Sequence, residues 1–341
     1  MKTIAIAGCG KLGNIVADAI LNGILPEYEL TGVYSRTLGS AQALAEKMVK
    51  AGKECRVAEQ FEQLIALKPD YLIEAASPAA MREWALPTLK QGISIITLSI
   101  GAFADDAFYA EVADVARKAG TRVYMASGAT GGFDVLNTVT LMGGARAHFF
   151  NEKNPNALRG TAVFDEALLG EQRQVFEGTA CEAIELFPTK VNVTVAASRA
   201  SVGPAAMHVR MLSTPGFVGD TQKVEIENEQ VHAVIDVYSA TAEIAGWSVV
   251  STLLNISSPV MLFQGSRTGG NTFRITNMIT AAIAPVTTKV ATVVPMILPA
   301  FLALSILAMA DAMEQKTMGT TIQNIRLMNT VPRGSSTRAP S

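Results

Sequence analysis

Cysteine is sparse in this chain of 341 residues: Cys9, Cys55 and Cys181 stand far apart. Their odd number and wide spacing give neither a metal-ligand set nor a disulfide framework, so no metal is expected and a reducing cytoplasm fits best. Charge of one sign is lacking too. The formal net charge is −2 and no block of like charges occurs, which argues against a nucleic-acid surface of clustered Lys and Arg. The opening MKTIAIAGCGKLG has a Lys before apolar residues, but the run breaks at Gly8. A buried strand is the reading there, rather than an export leader.

What is present first is alternation of strand and helix. TIAIAG reads as a short apolar strand, and 11–22 carries Leu12, Ile15, Val16, Ala19 and Ile20 at helical spacing. YELTGVYS, ECRVA, DYLIEAAS, ISIITLS and TRVYMA read as five further strands. The helices between them include 40–51, with Ser40 as its cap, one opening at Ser77-Pro78, and 104–119 closed by Gly120. Strands separated by helices of this length predict a doubly wound parallel sheet with right-handed crossovers. The class is α/β, with a dinucleotide-binding domain over 1–127.

After Ser127 the rhythm changes. Glycine-rich SGATGGFD leads to a helix and a polar stretch over 151–160. KVNVTVAAS, AAMHVRMLS, QKVEIENE and QVHAVIDVYS alternate as strands of a mainly antiparallel sheet do. They predict a second, α+β domain over 128–245 for substrate and oligomerisation. Apolar helices over 246–313 are expected to pack on the first domain or a partner subunit. Residues 314–341 form a polar tail expected to be disordered. Its segment 331–335, VPRGS, resembles a thrombin cleavage site and is left out of fold reasoning. Residues 290–310 carry no charge, but Pro295 and Pro299 interrupt them. A broken helix in a core or subunit interface is the reading, and a bilayer span the competing one.

Gly8-Cys9-Gly10-Lys11-Leu12-Gly13 forms a G-x-G-x-x-G between a strand and a helix. Alone the pattern is weak; this context makes it a Rossmann dinucleotide loop, with pyrophosphate at the helix N-terminus. The second strand ends Tyr34-Ser35-Arg36-Thr37, without the carboxylate that grips an NAD ribose. Arg36 can pair with a 2′-phosphate and Ser35 and Thr37 can donate to it. NADP is therefore expected over NAD.

EAASPAAMREWALPTLKQG, ITLSIGAFAD, SGATGGFDVL and VFEGTACEAIELFPTKVNVTVAAS resemble the L-aspartate dehydrogenases, in order, over roughly two-thirds of the chain. The resemblance implies a dinucleotide domain plus an α+β domain that holds substrate and packs subunits. It implies reversible hydride transfer between NAD(P) and an amino or imino acid. It sets the nicotinamide near Ala76, Ser77, Ser99 and Gly101, with the 127–134 loop and Asn192 opposite. A plain strand-edge hydrogen bond is the competing role for Asn192, and Asp134 is read as a helix N-cap.

The departures lie in TPGFVGDTQKVEIE. The family carries Ala-Asp-Pro and then Asn-x-His; here Thr214 stands at the Asp, Asp220 at the Asn and Gln222 at the His. The family's later Asn-Pro-Lys-Thr-Ser phrase is not visible. His suits proton transfer at nitrogen and Gln does not. Gln222, which can still hydrogen-bond a carbonyl or carboxylate, is thus a candidate catalytic-site residue together with Asn192 and His208, with a polar residue at a strand edge as the other reading of Gln222. His208, on a predicted strand, is the first histidine candidate and His232 the second; His148 is assigned to a loop. The expectation is an NADP-dependent oxidoreductase acting on a small amino, imino or carbonyl acid, as a homodimer or tetramer. The rivals are a non-catalytic NADP-binding sensor and a membrane-associated oxidoreductase.

Overall fold

The computed structural model describes residues 1–187 and 191–261, which lie in one compact unit. The first sheet takes its strands from β1 (Lys2–Ala7), β2 (Tyr28–Tyr34), β3 (Arg56–Ala58), β4 (Tyr71–Glu74), β5 (Ser94–Thr97) and β6 (Val123–Met125). Their order is β3-β2-β1-β4-β5-β6, and every pairing is parallel. Each crossover carries a helix: α1 (Lys11–Leu21), α2 (Leu38–Lys50), α3 (Phe61–Ile65), α4 (Pro78–Lys90) and α5 (Asp106–Ala119). Alternate residues of β1 feed different cores. Ile4 and Ile6 pack in the α1 layer, and Ala5 and Ala7 in the layer with Trp84 and Phe103. A strand buried on both faces reads as continuously apolar, which is why TIAIAG was legible. The chain winds outward from β1 in both directions, so the ends of β1 and β4 bound a crevice.

The second sheet follows α6 (Phe133–Leu141). It comprises β7 (Arg146–Lys153), β8 (Arg173–Thr179), β9 (His208–Ser213), β10 (Asp220–Glu227) and β11 (His232–Ser239), in the order β11-β10-β7-β9-β8. Only the β7–β9 pairing is parallel; the other three are antiparallel. Between β8 and β9 run α7 (Ala180–Leu186) and α8 (Asn192–Arg199). One face of this sheet is buried through Phe149, Val209, Val224 and Ile226; the other carries mainly charged and polar side chains.

Four local expectations change. KVNVTVAAS is helical over Asn192–Arg199, not a strand. Its valines alternate, but Thr194 to Ser198 are all buried and Arg199 donates to the carbonyls of Phe103 and Ala104; such packing overrides β-branched propensity. His148 lies within β7, not in a loop. α2 begins at Leu38 with Thr37 as its N-cap residue, two residues before Ser40. Asp134 occupies the first turn of α6, whose N-cap is Gly132 at φ 68°. A Cβ there would stand 2.5 Å from Ile235 Cγ1, so the chain turns where only glycine fits.

The last described helix, α9 (Glu243–Ser257), packs on α1 and places Val249, Val250 and Leu253 in the core of the first sheet. The Tyr28 hydroxyl, buried, donates to the Leu253 carbonyl at 2.7 Å. The uncharged segment 290–310 and the tail lie outside the described residues. Among the described residues, no helix is long and apolar enough to cross a membrane. Tyr28→Phe leaves the Leu253 carbonyl without that donor, so stability in urea is expected to fall by about 1 kcal/mol. An unchanged unfolding midpoint would show that the bond does not hold α9.

Candidate functional site

The glycine loop joins β1 to α1. Gly8 has φ 107°, and a Cβ on it would meet the Ala75 carbonyl at 2.4 Å. A Cβ on Gly13 would meet the Gly8 carbonyl at 2.2 Å. These two contacts let α1 sit directly on the strand ends. Gly10 differs: a Cβ there would meet nothing within 4 Å, because its backbone faces open space. As the N-cap of α1 it brings no side-chain cap, and the first turn holds no acidic residue. The first-turn N–H groups are thus offered to an anion, which fits a dinucleotide pyrophosphate. Lys11 turns its ammonium away to Glu243, at 2.8 Å.

Two cavities flank this loop. The first, about 590 Å³, is lined by Gly8, Gly10, Ser35, Arg36, Thr37 and Ser77, together with Glu59, Glu62, Glu83 and Trp84. The second, about 380 Å³, lies between the two sheets. From the first sheet's side come Leu12, Leu98, Ser99, Ser127 and Gly128, and from α8 come Asn192 and Val193. The second sheet contributes Lys153, Asp220, Gln222 and Ser239; Thr241, Ala242 and Ala245 close the end near α9. Ala75 and Ala76, just past β4, line both cavities.

A carboxylate that sequence reasoning missed holds this junction in place. Glu74, the last residue of β4, is fully buried. Its Oε1 accepts from the Ala76 and Ser77 N–H groups and from Ser99 Oγ, at 2.8, 3.1 and 2.8 Å. Its Oε2 accepts from Thr97 Oγ1 at 2.5 Å and from Ser99 N at 3.3 Å. One side chain thereby fixes the turns that follow both β4 and β5. Burial raises its pKa above the ordinary carboxylate value, and the bonds from Thr97, Ala76 and Ser99 pull it back. The available signal was a single Glu inside the apolar run YLIEAA.

The remaining predicted residues divide between the sheets. Asn192 Oδ1 accepts from Gly101 N at 2.7 Å, so the start of α8 is tied to the turn after β5. Ser77 Oγ caps α4 by accepting from Ala80 N. Gln222 is 6 % exposed and lies on β10, an interior strand, so it is not at a sheet edge. Its side chain is in phase with buried Val224 and Ile226. His208 is not brought here. It lies on the sheet's open face with His148, its ring 5.6 Å from that of His148, and borders another cavity with Glu177 and Arg210. His232 is on that face as well, 2.8 Å from Glu225. Strand alternation separates them from Gln222: opposite parity means the opposite face. Thr214 bonds Glu152, outside the cavity. Lys153 was also missed, although its phase in RAHFFNEK matches buried Ala147, Phe149 and Asn151. Among the described residues no cluster of His, Cys, Asp or Glu could hold a metal ion.

The chain matches the homoserine dehydrogenase NAD-binding domain over residues 8–126 and the aspartate dehydrogenase C-terminal domain over residues 134–256. It is 30% identical over 275 residues to L-aspartate dehydrogenase of Methanosarcina mazei, covering 77% of this chain and 99% of that one. The chain belongs to the L-aspartate dehydrogenase family. The Methanococcus maripaludis C6 enzyme of the same name is 27% identical over 273 residues, again covering 77% and 99%. Aspartate dehydrogenase from Thermotoga maritima has the same fold, with a TM-score of 0.60 and 24% identity over 77% of this chain and 99% of that one. This family member is an NAD(P)-dependent, aspartate dehydrogenase-like oxidoreductase acting on a small molecule. The dinucleotide matches fall on the first sheet, and the cavity with Asn192 and Gln222 falls where that domain meets the second.

Glu74→Gln puts an amide NH2 among partners that all donate to Glu74, leaving a buried donor unmatched. The expected loss at neutral pH is about 1–3 kcal/mol. A raised native pKa means the folded state keeps its proton to higher pH than the unfolded state. The Glu74 contribution is therefore full below the ordinary Glu pKa, about 4.3, and is lost as pH rises through the folded value. The stability gap between parent and Glu74→Gln should narrow as pH rises, in denaturant titrations at several pH values. A gap that widens would show that the donors, not burial, govern this carboxyl.

Proposed function

We propose that this chain prefers NADP and transfers hydride between its nicotinamide and a small amino, imino or carbonyl acid. The observation that carries the cofactor choice is the end of β2: Ser35, Arg36 and Thr37 line the first cavity with no carboxylate among them. A guanidinium there recognises a 2′-phosphate by charge-assisted hydrogen bonds, and the flanking hydroxyls add donors. The proposed cofactor residues are Gly8, Gly10, Lys11, Leu12 and Gly13 in the loop, Ser35, Arg36 and Thr37 at the ribose, and Ala76, Ser77, Ser99, Gly101 and Asn192 toward the nicotinamide. Lys11 acts through its backbone, since its ammonium is bound to Glu243. When bound, the cofactor supplies the hydride acceptor or donor.

The substrate belongs in the second cavity. Gln222 can hydrogen-bond a carbonyl or carboxylate there, and Asn192, whose Oδ1 holds Gly101, keeps its amide N–H groups for a ligand. The relatives are named L-aspartate dehydrogenase, and that chemistry is the first to test. Cytoplasmic residence and assembly as a homodimer or tetramer belong to the same reading. A second reading is a non-catalytic NADP-binding sensor. Gln222 favours it, because this residue has no proton to exchange at the position matched to a His.

Two measurements decide. Arg36→Ala should weaken NADPH binding by about 10–100-fold, the range for one charge-assisted contact, with little change for NADH. Equal NADH and NADPH affinity in the parent would overturn the cofactor choice. The purified chain should oxidise NADPH with oxaloacetate and ammonia, or with another small keto acid. Measurable NADPH binding with no turnover on any of these compounds would favour the sensor.

A further inference from the structure

On the inward face of the second sheet, residues of one register row point into the cavity together. Asp220 of β10 pairs with Lys153 of β7 and with Ser239 of β11. The Lys153 side chain is only 7 % exposed, and its Nζ lies 3.6 Å from Asp220 Oδ1. That is an ion pair, but too long for a good hydrogen bond. The Asp220 side chain is 43 % exposed, but its Oδ1 has no solvent contact and accepts no hydrogen bond. Leaving a buried carboxylate oxygen without a donor is costly, and a ligand N–H would satisfy it. Gly219 enters β10 at φ 80°, where even a Cβ would stand 2.0 Å from the Ser239 carbonyl. Gln222 faces the same cavity one row further in.

Resting on the oxidoreductase reading above, we propose that Asp220 is the proton-handling residue of this cavity and Lys153 the anchor for a substrate carboxylate. The site thus takes a small amino acid, or its keto acid with ammonia, by two charges already placed side by side. In the oxidative direction the substrate ammonium gives one proton to Asp220 Oδ1 and keeps the nitrogen lone pair. The substrate carbon–hydrogen bond then breaks, and its two electrons leave as hydride to the oxidised nicotinamide. The lone pair becomes the second carbon–nitrogen bond, so the amine is oxidised to an iminium by two electrons. Water adds to the iminium carbon, one of its protons passes to nitrogen, and the carbon–nitrogen bond breaks. The hydroxyl proton leaves with the nitrogen as ammonium, the carbonyl remains, and Asp220 returns its proton to solvent. Throughout, the Lys153 ammonium donates to the substrate carboxylate.

The test uses the full chain with NADPH. Asp220→Asn is expected to lower kcat for ammonia-dependent reduction of oxaloacetate by about 100-fold or more. KM for oxaloacetate and NADPH binding should stay near the parental values. Lys153→Met is expected to raise KM about tenfold, the loss of one charge-assisted contact. Calorimetric binding of unreactive succinate to the NADPH complex should weaken equally in Lys153→Met and stay unchanged in Asp220→Asn. Parental turnover in both variants overturns this proposal alone. A parent that turns over no keto acid overturns the reading beneath it, and this proposal with it. If Asp220→Asn loses NADPH binding, Asp220→Glu decides: recovered turnover supports the assignment, and an NADPH-bound but inactive Asp220→Glu contradicts it.

Discussion

The Glu74 carboxylate sits where the first sheet stops being scaffold and becomes site. It accepts five hydrogen bonds, one from Thr97 at the end of β5 and four from the two turns that follow β4 and β5. Without an acceptor in that place, the N–H groups of Ala76 and Ser77 would lose their side-chain partner, and the Ser99 N–H would keep only Thr97 Oγ1, at 2.9 Å. Both cavities depend on the outcome. Ala76 is the wall they share, Ser77 starts α4 beside the first, and Ser99 borders the second. Gly8 adds a steric condition at the same place, since its backbone lies against the Ala75 carbonyl. A carboxylate and a missing side chain together set the floor on which a dinucleotide can lie.

The second sheet closes the site by parity. Along β7 and β10, alternate residues face the cavity or the open face. The inward set offers an amide, a carboxylate and an ammonium: Gln222, Asp220 and Lys153. The open face holds all three histidines of the chain: His148 on β7, His208 on β9 and His232 on β11. A one-residue register slip would exchange the two sets, so the pairing register is itself a functional constraint. Gly219 precedes β10 where backbone meets backbone too closely for any side chain.

Much of this was readable in the sequence where the signal is local. The glycine loop, the end of β2 and the alternation around Gln222 each lie within a dozen residues. Each also obeys a period or a turn rule that needs no partner. Glu74 was not readable, because Thr97 and Ser99 stand 23 and 25 residues away. Within its own strand it looks like an interruption of an apolar run. α8 failed for a different reason. Val191, Val193 and Val195 alternate like a strand, but buried contacts with the turn after β5 decide for helix. His208 was placed on a strand correctly, yet its face depends on the register with β7, which pairing settles and composition does not.

The central claim is that one dinucleotide spans both cavities across Ala75–Ala76, with its reactive end facing Asn192, Gln222 and the Lys153–Asp220 pair. The most direct measurement is a crystal structure with NADPH bound. The account predicts the 2′-phosphate on Arg36, the pyrophosphate at the start of α1, and the nicotinamide between Ser99 and the inward face of the second sheet. A nicotinamide directed away from that face, or a 2′-phosphate with no contact to Arg36, would contradict it.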